Sequence, residues 1–189
     1  MTMPCFEFTH CLCVPLVRYP AAYDLKPNAK AHVRILIAED NILNQKVVTK
    51  LLRTFGFDST VVTNNGKEAR DKYVEEAEAG RPFDLVLMDL QMPVMDGFMA
   101  TQSILEYVAI KESEGRVGMY PPRIVALTAD VLSSVIEECR SCGMFGFIGK
   151  PIRREKLAVI IGEVAVWVTE VGFGLRKPRT RAVRYARVG

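Results

Sequence analysis

The residues of this chain that could do chemistry are few, and most of them are acidic. Asp89 ends the apolar run Phe83-Asp84-Leu85-Val86-Leu87-Met88 and is followed by Leu90-Gln91-Met92-Pro93-Val94-Met95-Asp96-Gly97. Glu39 and Asp40 end a second apolar run, Val33 to Ala38. Thr128 ends a third, Arg123 to Thr128, and Lys150 follows a fourth, Phe145 to Ile148. One carboxylate at the end of a strand is ordinarily a helix cap or a satisfied turn residue. Three carboxylates in one cleft cannot all ionise cheaply without a cation. Carboxylate oxygens with room for water suit Mg²⁺, which holds octahedral geometry and keeps several waters. A lysine and a hydroxyl beside them would neutralise and hydrogen-bond an anion carried on one carboxylate. Such a set suits acceptance of a phosphoryl group on Asp89.

Those residues act together only if the fold brings them together. Five β-rich runs alternate with five helical patterns, and each pair makes a βα unit. After the first strand, Asn41 is a candidate N-cap, Val47, Val48, Leu51, Leu52 and Phe55 share one helix face, and Gly56 stops the helix. Ser59 to Val62 is a short second strand. The helix after Asn64-Asn65-Gly66 carries Ala69, Tyr73 and Ala77 on one side. A third helix is predicted from about Asp96 to Ile110, with Asp96 as its cap. Residues 111–122 form a polar, turn-rich connection to the Arg123 strand. Val131, Val135 and Cys139 then fall at helical spacing, and Gly143 ends that segment. The last helix, about Arg153 to Val168, is apolar on more than one face, which predicts an exposed patch beyond the core.

This alternation predicts a doubly wound α/β fold, a five-stranded parallel sheet with five helices and right-handed crossovers. In such sheets ligands bind beyond the carboxyl ends of the strands, where the strand order reverses. With the order 2-1-3-4-5 the reversal lies between strands one and three, where Glu39, Asp40 and Asp89 would meet. The second strand leaves nothing comparable at its end.

Composition sets the outer bounds. The 189 residues suffice for one α/β domain, at 33–168, with an irregular extension at 1–32 and a basic tail at 169–189. The formal net charge of +3 does not call for nucleic acid or membrane, and six Lys or Arg crowd the tail without an acid among them. The five cysteines, Cys5, Cys11, Cys13, Cys139 and Cys142, are odd in number, which suits reduced thiols in the cytoplasm better than a disulfide framework. Cys139-x-x-Cys142 lies near a helix end rather than at a strand-to-helix junction, so structural thiols are expected. His10 and His32 lie in the extension, outside any candidate site. No apolar run reaches the roughly 18–20 residues of a membrane span. Pro4 and Pro15 interrupt the N-terminal apolar patches, and no basic segment precedes them, which argues against a signal peptide.

In combination, Ile-Ala-Glu39-Asp40-Asn41, Leu-Met-Asp89-Leu-Gln-Met-Pro93-Val-Met-Asp-Gly97, Ala-Leu-Thr128-Ala129 and Lys150-Pro151-Ile resemble the receiver domain of two-component response regulators. Asn44-Gln45, just after the first motif, is most similar to the receivers of hybrid histidine kinases. The resemblance implies a flavodoxin-like receiver fold and a phosphorelay switch rather than an enzyme. Asp89 would accept the phosphoryl group of a partner's phosphohistidine, on a histidine kinase or a histidine-phosphotransfer protein. Asp40, Asp89 and the backbone carbonyl of Gln91 would hold Mg²⁺, with Glu39 acting mainly through water. Lys150 would pair with the phosphoryl oxygens, the Lys150-Pro151 peptide would be cis, and Thr128 and Phe147 would move together as the switch. Gln91 and Asp130 align with residues that tune hydrolysis, and the fourth and fifth helices with a face used for homodimers. Phe145-Gly146 departs from the polar pair common before the aromatic, and Asn41-Ile42 from the frequent Asn-Pro.

Rival readings fail on particular residues. A haloacid-dehalogenase-type phosphatase needs a second acid two residues after its nucleophile, where Gln91 stands. A flavodoxin-like binder needs a Ser/Thr-rich phosphate loop where Glu39-Asp40 stands. A pseudo-receiver, used only for binding, would not need the full set of site residues.

Overall fold

Each strand of the sheet is an apolar run of four to six residues that is followed by a helix. The computed structural model describes residues 33–116 and 120–172. The order is β1 (Ile35–Ala38), α1 (Ile42–Thr54), β2 (Thr60–Thr63), α2 (Gly66–Glu78), β3 (Leu85–Asp89), α3 (Gly97–Ser113), β4 (Arg123–Thr128), α4 (Ser133–Ser141), β5 (Gly146–Gly149) and α5 (Arg154–Gly172). All pairings are parallel and the sheet order is β2-β1-β3-β4-β5, as the alternation predicts.

Burial on both sides explains why the central strands are apolar throughout rather than alternating. On one face Ile35, Ile37, Leu85, Leu87, Val125 and Leu127 pack against Val48 and Leu52 of α1 and Leu157, Ile161 and Val164 of α5. On the other, Leu36, Val86, Met88 and Ala126 pack against α2, α3 and Cys139 of α4. Full burial of one such aliphatic side chain is worth about 1.5–3 kcal/mol, so two such layers hold the strand ends in place.

Local chemistry starts the helices. The Asn41 side chain accepts from the N–H groups of Leu43 and Asn44, Asn65 from Glu68, and Asp96 from Met99. Asp96 is therefore a cap, as expected, and takes no part in the acidic cluster. Gly56, Gly80, Gly115 and Gly143 adopt positive φ just past helix ends, where a Cβ is disfavoured.

Three expectations change. Val131 lies ahead of α4 and is exposed, because four residues, Ala129 to Leu132, separate the end of β4 from the start of the helix. Among the residues of the last helix whose burial is described, through Val168, none is an exposed large apolar side chain, so the exposed patch expected there is not seen among them. Leu157, Ile160, Ile161 and Val164 are core, and Val159, Val166, Trp167 and Val168 are half-buried. The last helix runs on to Gly172, so residues 169–172 of the tail expected at 169–189 belong to it. The extension at 1–32 and residues 173–189, with His10, His32, Cys5, Cys11 and Cys13, lie outside the described residues. No helix among the described residues is long and apolar enough to cross a membrane.

Candidate functional site

Strand register sets the site. Ala38 pairs with Met88, so Glu39 and Asp89 leave neighbouring strands at the same height. Asp89 pairs with Leu127, and Thr128 with Gly149, which brings Thr128 and Lys150 to the same rim. Glu39, Asp40 and Asp89 present carboxylate oxygens that all lie within 4.8 Å of one another. Glu39 is fully buried, Asp89 is 4 % exposed, and Asp40 faces solvent.

Lys150 reaches into this cluster. Its ammonium donates to Asp89 Oδ2 at 2.6 Å and lies 2.9 Å from Glu39 Oε2. The second contact has the distance of an ion pair without hydrogen-bond alignment, so Glu39 Oε2 accepts no hydrogen bond among the described residues. Burial raises the Asp89 carboxyl above the ordinary carboxylate range; hydrogen bonds from Lys150 and the Gln91 N–H oppose this, and the Glu39 charge adds to it. Burial pulls the Lys150 ammonium down, yet the hydrogen bond to Asp89 and the contact with Glu39 outweigh it and hold the group above its usual value. Carboxylates thus outnumber the cation that reaches them. A buried, incompletely bonded Glu39 oxygen, an exposed Asp40 and an all-oxygen donor set together fit a hard divalent cation with part of its water shell kept.

The loop after Asp89 is tightly built. Gln91 N–H donates to Asp89 Oδ1 at 3.2 Å, and Gly97 N–H to the Leu90 carbonyl at 3.1 Å. Gly97 is required, since a Cβ there would collide with the Asp89 carbonyl. At the β4 rim the Thr128 hydroxyl donates to the Asp130 carbonyl at 2.8 Å and accepts from the Asp130 N–H at 3.0 Å. Asp130 itself is exposed, and its side chain accepts from Leu132 N–H. Phe147 is half-buried against the α2–α4 side of the core. The Lys150-Pro151 peptide is cis.

The family model described as response regulator receiver domain matches residues 35–162. This chain belongs to that family. The receiver is 38 % identical over 131 residues to the osmosensing histidine protein kinase SLN1 of Saccharomyces cerevisiae, covering 69 % of this chain and 10 % of that protein. The chain therefore spans only a small part of the hybrid kinases it matches. Among solved structures, the receiver resembles that of the histidine kinase CKI1 from Arabidopsis thaliana complexed with Mg²⁺ and BeF₃⁻. That match has 30 % identity and a TM-score of 0.56, covering 73 % of this chain and 94 % of that one. It also resembles a chain in the co-crystal of the S. cerevisiae phosphotransfer protein Ypd1 and the receiver of Ssk1, with 25 % identity, a TM-score of 0.58, and 80 % and 97 % coverage.

Sequence reasoning missed some members of the receiver's site. Asn44 Nδ2 donates to Glu39 Oε1 at 2.8 Å, and Gln45 Nε2 donates to the Glu39 carbonyl at 2.7 Å and to Asn64 Oδ1 at 3.1 Å. The end of β2 thus does contribute, through Asn64. The signal for Asn44 was present in the cap. With Asn41 as N-cap, the residue three further on stands in the first turn, within reach of the strand end the helix leaves. Cys139 and Cys142 are both free; burial pushes the Cys139 thiol up to about 11, away from redox reactivity.

Proposed function

We propose that this receiver takes a phosphoryl group from a partner's phosphohistidine onto Asp89. The observation that carries the reading is Asp89, buried at its strand end, with Lys150 bonded to one oxygen and two further carboxylates within 4.8 Å. An Asp89 oxygen attacks phosphorus, the phosphorus–nitrogen bond breaks, and its electron pair returns to the imidazole, which takes up a proton. The product is an acyl phosphate. Asp40, Asp89 and the Gln91 carbonyl would hold Mg²⁺, with Glu39 acting through water. A bound Mg²⁺ would offset the charge of the carboxylates and of the phosphoryl oxygens.

Lys150 then exchanges its bond to Asp89 for one to a phosphoryl oxygen. Thr128 leaves Asp130 to donate its hydroxyl to the same group, and Phe147 turns inward behind it. That is a local electrostatic change biasing a two-state surface. Gln91 and Asp130, both exposed at the rim, are placed to control water and so the lifetime of the adduct. The domain is a phosphoacceptor switch rather than an enzyme with turnover on a separate substrate.

Exposed apolar residues support a protein partner. Ile42, Leu43, Val94, Val131 and Leu132 all stand more than half exposed on the loops and first turns that surround the acidic cleft. Singly exposed apolar residues are ordinary, but a collar of them around a site is suited to docking a protein surface. The phosphohistidine would come from a histidine kinase or a histidine-phosphotransfer protein.

Incubation with Mg²⁺ and acetyl phosphate, or beryllofluoride, tests the reading. With acetyl phosphate the expected result is an acid-stable, base-labile adduct of one phosphoryl group that disappears in Asp89→Asn. Beryllofluoride, which carries no phosphoryl group, is expected to bind only with Mg²⁺ present. A wild-type chain that shows no Mg²⁺-dependent change under either reagent overturns it.

A further inference from the structure

Glu39 with Asp40, and Asp89 with Gln91, leave two different strands, and nothing covalent fixes the gap between them. Their like charges push the two strand exits apart. Besides Lys150, whose ammonium meets both Asp89 and Glu39, one short segment among the described residues touches both exits. The turn Asn64-Asn65-Gly66, between β2 and α2, reaches the exit of β1 through Gln45, whose amide bonds both Asn64 Oδ1 and the Glu39 carbonyl. Glu39 N–H also donates to the Thr63 carbonyl at 3.1 Å, and Asn44 bonds the Glu39 side chain.

On its other side the same turn meets the exit of β3. Gly66 N–H donates to the Met95 carbonyl at 3.1 Å. A Cβ at Gly66 would stand 2.5 Å from that carbonyl oxygen, 2.9 Å from the Asp96 oxygen and 3.0 Å from Ala100 Cβ, so backbone would have to move. Met95 and Asp96 belong to the loop that starts at Leu90 and Gln91 and closes when Gly97 N–H bonds Leu90. The turn itself is rigid. Glu68 accepts from Asn64 N–H, from Asn64 Nδ2 and from Asn65 Nδ2, while Asn65 caps α2 by accepting from Glu68 N–H.

We propose that the Asn64–Gly66 turn is a positioning brace that fixes the spacing between the Glu39–Asp40 and Asp89–Gln91 halves of the cation site. It holds the first half through Gln45 and the second through Gly66. The strand that brings no chemical group to the rim thus brings the geometry instead. The inference rests on the reading of these residues as a Mg²⁺ site. Groups that orient metal ligands through one further contact typically change affinity about 10–100-fold when lost.

Calorimetric titration of the full chain with MgCl₂, alongside thermal melts without the metal, tests the brace. Gly66→Ala and Asn64→Ala, each acting through more than one contact, are expected to weaken Mg²⁺ binding by up to roughly tenfold, the low end of the effect of a direct support. The control is Gly80→Ala, whose positive φ of 74° makes the substitution costly while its surroundings are open and remote from the site. It should melt earlier than wild type yet bind Mg²⁺ with wild-type affinity. Should Gly66→Ala not fold, Asn64→Ala, an exposed side chain, gives the answer alone. Wild-type affinity in Asn64→Ala, and in Gly66→Ala where it folds, overturns the brace and leaves the cation site standing. A wild-type chain that binds no Mg²⁺ overturns the site and the brace together.

Discussion

At the carboxyl end of the sheet, buried Glu39 and Asp89 share Lys150, with Asp40 alongside. At the amino end the balance is reversed. Glu76 is met by Arg34 at 2.8 Å, Lys72 at 3.2 Å and Arg81 at 3.3 Å. Glu78 accepts from the Tyr107 hydroxyl at 2.6 Å and from Arg116, with Lys111 at 3.6 Å. Both ends use carboxylates on the same scaffold. At the amino end each of these two acids meets more than one cation, Lys72 and Lys111 being shared with Glu75 and Glu114, and the cluster around Glu78 ties α2 to α3. Where carboxylates are in excess the fold holds repulsion in place, and a cation or a phosphoryl group can alter the balance. Residue type does not separate the two ends, and neither does burial, since Glu76 is buried as Glu39 and Asp89 are; charge ratio does.

Removal of the minority partner should expose the difference most sharply. Lys150→Met leaves Glu39 and Asp89 buried beside each other, and a loss of about 3 kcal/mol is expected, as for a broken buried ion pair. Urea denaturation measures it, and added Mg²⁺ should recover much of the loss. A loss unaffected by Mg²⁺ would remove the contrast between the ends. Arg34→Met at the other end leaves Glu76 with two cations, so about 1 kcal/mol is expected, part of it from the stacking of the guanidinium 4.8 Å over Phe83.

The acid limb of stability separates the ends further. The Tyr107 hydrogen bond and then Arg116 hold the Glu78 carboxyl down at about 2, against an ordinary 4.5. Because the folded value is depressed, the stabilisation is complete above about pH 4.5 and is lost as pH falls toward 2. Thermal melts of Glu78→Gln should therefore fall below wild type at neutral pH and converge with it near the acid end. Parallel curves across that window would show that Glu78 ionisation is not linked to folding. The smallest effect belongs to Arg81→Ala. This side chain is 65 % exposed and supplies one of three cations to Glu76, so less than about 0.5 kcal/mol is expected by the same denaturation.

The fold and the chemical groups of the site were legible for a common reason. Short apolar runs ending in Glu39-Asp40, Asp89 and Thr128 recorded burial on both faces and the places where burial stops. Parallel βα alternation then put all those places on one rim. Val131 was misplaced because helical spacing does not show where a turn ends; here Thr128 and Asp130 hold the turn open by their own hydrogen bonds. The last helix misled because it is apolar on several sides, and composition cannot tell an exposed patch from burial against sheet, loop and neighbouring helix. Asn64 and Gly66 looked like ordinary turn residues, since a turn's sequence signals its own geometry and not what it rests against.

By itself the sequence determined the element order, the parallel sheet and the identity of the acidic, lysine and hydroxyl groups at the strand ends. Local patterning and chain connectivity suffice for these. Only the tertiary structure decided the charge ratio at each end, the double reach of Lys150, and the contact of one β2–α2 turn with two other strand exits. Those depend on distances between segments remote in the chain, such as the 61 residues separating Lys150 from Asp89. Packing sets such distances, and no local pattern records them.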